Sequence, residues 1–294
     1  VVHSTRWKGA AFTAPFLIGF VLLIVIPIGY AVYQSLFLQQ QSGLGLGGTT
    51  NQFVGLHNYG HGFTDAGFLQ SVWRVFLFGC VQIPVMLVIS LLMALLLDSA
   101  SSRVAARFRP VLLVPYMIPG IVAAIVWVNL YSPDVGPLTP LGRVLGMTWN
   151  FFAPAMVWPS IGNLLTWHGI GYTMLILFAA LQAVPRELFD AARVDGASEA
   201  RLAWSIKVPA VRPALVLTGM LSIIGMLQIF NEPMLFRHVT PQTVTSGFTP
   251  IMVIYDEAFG AGNYDYAAAL SVILAAILGV ASYLFYRFTS REVA

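Results

Sequence analysis

The run "VFLFGCVQIPVMLVISLLMALLL", from Val75 to Leu97, contains no charged residue. It is long enough for one helix to cross a hydrocarbon core, which takes about 17–25 residues. In lipid it must be helical, because coil or a lone strand would leave backbone groups without hydrogen-bond partners. It also lacks the apolar–polar alternation of a membrane barrel strand. If its neighbours read the same way, the bilayer is the solvent of the whole chain.

They do. Further charge-free intervals cover 9–64, 110–133, 144–185, 213–231 and 266–286. The chain is 58% hydrophobic and 9% charged, against roughly 25% charged in a soluble domain. A net charge of +3 would suggest nucleic acid for a soluble protein; here it reads as basic loops beside a membrane. The lone Cys80 excludes an internal disulfide and reads as a small buried hydrophobe. The first apolar run outlasts a signal-peptide core of about 7–15 residues, so an uncleaved first span is expected.

Within these gaps, residues 39–64 are polar and Gly-rich and read as a loop, as does 238–255. Residues 144–159 combine Trp149, Phe151, Phe152 and Trp158 with Pro154 and Pro159, the make-up of an interfacial segment with aromatic anchors. Six helical spans are expected: about 10–36, 71–97, 110–131, 160–183, 212–236 and 266–287, in a single transmembrane domain over 1–294. With the N-terminus inside, twelve of the fifteen lysines and arginines fall on inside segments, and only Arg74, Arg143 and Arg237 fall outside. That bias puts both termini in the cytoplasm.

The same bias makes "PRELFDAARVDGASEARLAWSIKVPAVRP" (Pro185–Pro213) the largest cytoplasmic loop. Pro185, Glu187 and Asp190 suit a first helical turn, and Asp190 and Arg193 can pair at i,i+3. Asp195-Gly196 ends that helix, with Gly196 free to be left-handed. Ser198 can cap a second helix to about Lys207. The small side chains of Ala191 and Ala192 would let another surface approach closely. Residues alone leave two readings: a loop resting on lipid headgroups, or a docking site for a protein.

The loop resembles the EAA motif of permease subunits of bacterial ABC importers, E-x-x-x-A-A-x-x-x-G and then I-x-x-P. Glu187, Ala191, Ala192, Gly196, Ile206 and Pro209 hold those places, with Val208 where the family commonly has Leu. "FVGLHNY" (Phe53–Tyr59), "PYMIPGIVAAIVW" (Pro115–Trp127) and "NYDYAAALSVIL" (Asn263–Leu274) resemble the carbohydrate subgroup, which includes permeases for maltose and glycerol phosphate. One departure is "RHVTPQTVTSGFTP" (Arg237–Pro250), which lacks that subgroup's Gly-Gly-Pro.

The resemblance implies an all-α, six-span membrane fold of the type I ABC importer kind, in a bacterial plasma membrane. It implies a second permease subunit, ATP-binding subunits and an extracytoplasmic solute-binding protein as partners. The coupling helix would meet the ATPase through Glu187, Asp190, Ala191, Ala192, Asp195, Gly196, Ile206 and Pro209. The transported solute would be a sugar or derivative.

The chain itself is not expected to be an enzyme or to hold a cofactor. Neither lysine, Lys8 nor Lys207, is followed by Ser or Thr as in a phosphate-binding loop, so ATP and magnesium belong to a partner. The scattered histidines, including His57 and His61 in a Gly-rich stretch, make no metal set. Polar residues in apolar spans mark candidates for a solute path: Trp127, Asn129, Asn163, Trp167, Tyr172, Gln228, Asn231 and Glu232. Gln228, Asn231 and Glu232 would share one helix face. Interfacial belts and helix–helix hydrogen bonds account for such residues equally. Two rivals stay open: a secondary transporter, for which no clear repeat or mid-span carboxylate is found, and an importer of a non-sugar solute.

Overall fold

The computed structural model describes residues 2–41, 49–99, 102–144, 146 and 149–290. Arg291, counted above as an inside charge, and residues 42–48 of the expected outer loop lie outside these. Helix α1 (Val2–Phe20) passes through a π-turn, Val21–Val25, into α2 (Ile26–Gln34). Strands β1 (Phe37–Gln41) and β2 (Thr49–Phe53) follow, then α3 (His57–Gly62) and the long α4 (Ala66–Ser99). Next come α5 (Ser102–Met117), α6 (Gly120–Tyr131), α7 (Leu138–Val144) and α8 (Val157–Gln182). Helices α9 (Arg186–Val194), α10 (Glu199–Leu202) and α11 (Val208–Ala210) form the loop, with a π-turn at Ala203–Lys207. The chain closes with α12 (Arg212–Leu227), α13 (Asn231–Val239), α14 (Pro250–Tyr255), a π-turn at Asp256–Gly260 and α15 (Tyr264–Ser290).

Among the described residues, four helical stretches are long and apolar enough to cross a membrane: Ala11–Gln34, Ala66–Ser99, Val157–Gln182 and Tyr264–Thr289. Two of the six expected spans are not straight. The third is a pair, Arg103–Met117 and Gly120–Tyr131, bent by 92°. Pro119 causes the bend: it lacks an N–H, and its ring disfavours helical geometry at Ile118 before it. The freed Ile118 carbonyl lies 2.9 Å from His168 Nε2.

The expected fifth span, 212–236, ends at Leu227. Pro233 is the physical reason, since a helix running through it would drive its ring into the carbonyl of Ile229. That carbonyl instead accepts from Thr249 Oγ1 at 3.1 Å, and the helix restarts at Asn231. A second bend, of 63°, separates the loop helix Glu199–Ala210 from Arg212–Leu227.

The chain divides into two compact units. The first comprises residues 1–69 and 253–277. The segment 39–64, expected as loop, carries an antiparallel hairpin with Phe37 opposite Phe53 and a helix, α3. The "FVGLHNY" residues fasten it. Gly55 adopts φ +58° at the turn, and buried Asn58 donates to the carbonyls of Ser35 and Phe37 at 2.9 and 2.7 Å. His57 and His61 therefore do sit on a helix, contrary to expectation, but His61 packs on the Tyr266 ring. No metal-holding group of three His, Cys, Asp or Glu occurs among the described residues. Asp65 ties this unit to its second segment, accepting from the Tyr266 hydroxyl at 2.8 Å and from the Phe68 N–H that opens α4.

The second unit comprises residues 70–252 and 278–294. One core joins Val75, Val157, Ile161, Leu164, Phe236 and Met252, and another joins Ala94, Met174, Leu177, Phe178, Leu181 and Val211. Three of the four rings expected as interfacial anchors serve the first core: Phe152 is buried in it, and Phe151 and Trp158 pack against it. The segment 238–255, expected as loop throughout, turns helical at Pro250. Cys80, expected buried, is exposed. Helices approach closely at glycines, as small residues permit in membranes. A Cβ at Gly171 would fall onto the Leu112 carbonyl, and one at Gly162 would meet Gln82 Oε1 at 2.6 Å.

Candidate functional site: a polar cavity and an exposed loop

Two places in the second unit gather the residues singled out from the sequence. The first is a cavity of about 560 Å³ lined from α4, α5, α8, α12 and the break before α13. Tyr172, Gln228, Asn231 and Glu232 line it. The last three reach it because the helix breaks, not because they share a face. Gln228 is the C-cap that follows α12, and Asn231 and Glu232 begin α13. The cavity also takes in His168, a further polar group of the same apolar run as Tyr172, and Gln82, Tyr116, Thr218 and Ser222, which carry no such signal in the sequence. Gln82 is placed by hydrogen bonds to the Gly162 carbonyl and Thr166 hydroxyl, at 2.9 and 2.6 Å. Tyr116 stacks on Tyr172 with ring centres 4.6 Å apart.

The other four candidates do not line this cavity. Asn163 donates to the Tyr131 hydroxyl, and Asn129 donates back into its own helix at Ile125. Trp127 and Trp167 pack edge to face at 5.6 Å. Amides, hydroxyls, one carboxyl and a pair of stacked phenol rings remain around the cavity. Such groups can bond hydroxyls of a solute while the rings cover its C–H faces. Among the described residues that line it, none is lysine or arginine.

The second place is the loop. Helix α9 ends in a Schellman turn: Gly196 takes φ +84°, Ala197 N–H donates to Ala192 O, and Gly196 N–H donates to Arg193 O. Ser198 caps α10 by accepting from Arg201 N–H. The two halves are stapled by Arg193, which pairs with Asp190 at 3.2 Å and with Glu199 at 3.0 Å. Pro185 precedes α9 as its N-cap.

Only Phe189 of α9 is buried. Leu188, Ala191 and Val194 form an exposed apolar strip, with Val194 at 88% exposure. Ala192 is half-buried, so the two neighbouring alanines do not present one face. Glu187, Asp190, Asp195, Gly196 and Pro209 are exposed, and Ile206 is half-buried.

At the root of the loop, Lys207 is buried against Asp98 at 2.6 Å, and Gln182 donates to the same carboxylate at 2.7 Å. Both partners lie beside a second cavity of about 750 Å³. Nothing in the sequence marked Lys207 as half of a buried ion pair.

Comparison with known proteins finds a match over residues 86–294 to the model of the family described as the binding-protein-dependent transport system inner membrane component. Similar proteins include the sn-glycerol-3-phosphate transport system permease protein UgpA of Pectobacterium atrosepticum, 28% identical over 99% of this chain and 97% of that one. The protein of the same name from Escherichia coli is 29% identical over the same shares. Among solved structures, a bacterial ABC transporter involved in the import of the acidic polysaccharide alginate matches with a TM-score of 0.85. It is 18% identical, over 99% of this chain and 98% of that one. A MetNI methionine ABC transporter chain matches with a TM-score of 0.52, 17% identity and coverage of 77% and 96%. The fold is that of an ABC importer's membrane subunit.

Proposed function

The chain belongs to the family of binding-protein-dependent transport system inner membrane components, and from that premise we propose that it is the permease subunit of an ATP-driven sugar importer. It is a multi-pass membrane protein with both termini in the cytoplasm of a bacterium. A second permease, ATP-binding subunits and an extracytoplasmic solute-binding protein complete the machine. ATP and magnesium belong to the ATP-binding subunits, and this chain carries no catalytic group. The names of its relatives, a glycerol-phosphate permease and an alginate importer, support a carbohydrate or carbohydrate derivative. The hydroxyl-binding lining of the 560 Å³ cavity supports it too.

The observation that carries the reading is the loop. It is a stapled helical hairpin whose strip of Leu188, Ala191 and Val194 is left exposed. An ATP-binding subunit would cover that strip. Closure of the ATPase pair on ATP would then bias the spans between inward-open and outward-open states, a ligand-driven population shift. The solute path runs past Tyr172, Gln228, Asn231 and Glu232.

Gentle extraction of the tagged chain tests this. An ATP-binding chain and a second permease should accompany it. A chain that comes out alone and still moves solute down an ion gradient would make it a secondary transporter instead.

A further inference from the structure

We propose that Lys207 is the positioning residue through which movement of the loop reaches the membrane helices. The proposal rests on the reading of 185–210 as the part that meets an ATPase. Four elements converge on one ammonium group. Lys207 ends the π-turn of the second loop helix, and such turns recur at functional places in helices. Its Nζ lies 2.6 Å from Asp98 Oδ2, at the end of α4. Asp98 Oδ1 accepts from Gln182 Nε2, the last residue of α8. The Nζ also lies 5.4 Å from the ring centre of Phe189, the one buried residue of α9. A push on α9 therefore bears on Lys207 through Phe189, and Lys207 passes it to Asp98 and Gln182.

Two further observations favour positioning over mere stability. A buried ion pair contributes little beyond an apolar pair of the same volume, because desolvation offsets the attraction. What it supplies instead is a fixed separation. The 750 Å³ cavity also opens at this root, lined by Phe178, Arg109 and Arg186 as well as the pair. The loop is thus not wedged on that side, and the ion pair sets where it sits. The Arg193–Glu199 pair and the turn at Gly196 make the hairpin move as one piece about that point.

The test uses the complex purified with its ATP-binding chain and reconstituted in vesicles. It compares Asp98→Leu combined with Lys207→Met, the swap Asp98→Lys combined with Lys207→Asp, and Asp98→Glu. Solute moved per ATP hydrolysed is measured beside thermal unfolding. The apolar pair is expected to unfold near the wild-type temperature yet lose about tenfold in that ratio, and the swap to regain most of it. Asp98→Glu, which lengthens the link by one methylene and keeps the fold, should lower the ratio on its own.

Wild-type coupling in the apolar pair would overturn the assignment. If that pair fails to fold, wild-type coupling in both the swap and Asp98→Glu would do so. Gly196→Trp in the same assay separates the two claims. Normal coupling there overturns the loop reading and this proposal with it. Uncoupling there, with normal coupling in the apolar pair, overturns Lys207 alone.

Discussion

Gly196 carries two demands that one substitution cannot separate. Its φ of +84° is left-handed, which costs an ordinary residue about 1–2 kcal/mol. Among the described residues, none but its own chain neighbours lies within 4 Å of a Cβ placed there. Gly196→Asn, which tolerates that backbone, should therefore keep ATP-driven uptake. Gly196→Trp should abolish it by obstructing the docked surface. Equal loss in both would mean that the turn, not the surface, matters. Gly171 makes the opposite case, because its Cβ would strike the Leu112 carbonyl. Gly171→Ala should lower the unfolding temperature, with a cost of about 1–3 kcal/mol or more, whereas Gly279→Ala, in open space inside helix α15, should not lower it, since alanine favours a helix over glycine. The left-handed turn at Gly196 was legible from Asp195-Gly196, with the capping Ser198 two residues on. The need for Gly171 was not, because it depends on a helix distant in sequence.

At the scale of elements, charge-free runs located the apolar helices but concealed their breaks. Hydropathy counts residues along the chain, whereas Pro119 and Pro233 act on the carbonyls behind them. Both breaks were there to be read from the prolines, and both shape the cavity. Removing the second should therefore change function more than stability. Pro233→Ala lets α12 run on into α13, swings Asn231 and Glu232 away, and should reduce solute-stimulated ATP hydrolysis in a complex that still assembles. Full stimulation would mean that the break is incidental. The loop's second helix gives a plainer expectation. Ser198→Ala removes the bond to Arg201 N–H and should cost about 0.5–2 kcal/mol, read as a lower unfolding temperature. Asp65 links elements of the first unit in a pH-dependent way. Burial alone would raise its pKa, but hydrogen bonds from Phe68 N–H, the Tyr266 hydroxyl and Gly67 N–H outweigh it and hold the carboxyl below its usual value. Its contribution to stability is therefore present above about pH 4 and lost as pH falls through the lowered native value. Asp65→Asn should flatten that part of a stability–pH profile.

For the whole molecule, the sequence was most legible where lipid leaves few choices. A long run without charge in a bilayer can only be a helix, so the class of fold followed from Val75–Leu97 and its neighbours. The cavity was only half legible. Tyr172, His168, Gln228, Asn231 and Glu232 stood out as polar groups in apolar runs, but Gln82 looked like any polar residue that bonds a neighbouring helix. Trp127 and Asn129 carried the same signal and point elsewhere. The claim that joins loop and cavity is that ATP hydrolysed by a partner moves a sugar past this chain. Its most direct measurement is solute accumulation in vesicles holding the co-purified complex, with and without internal ATP and with ion gradients collapsed. The account expects accumulation that needs ATP, persists without a gradient, and is lost in Gly196→Trp. Accumulation that follows an ion gradient and ignores ATP would contradict it.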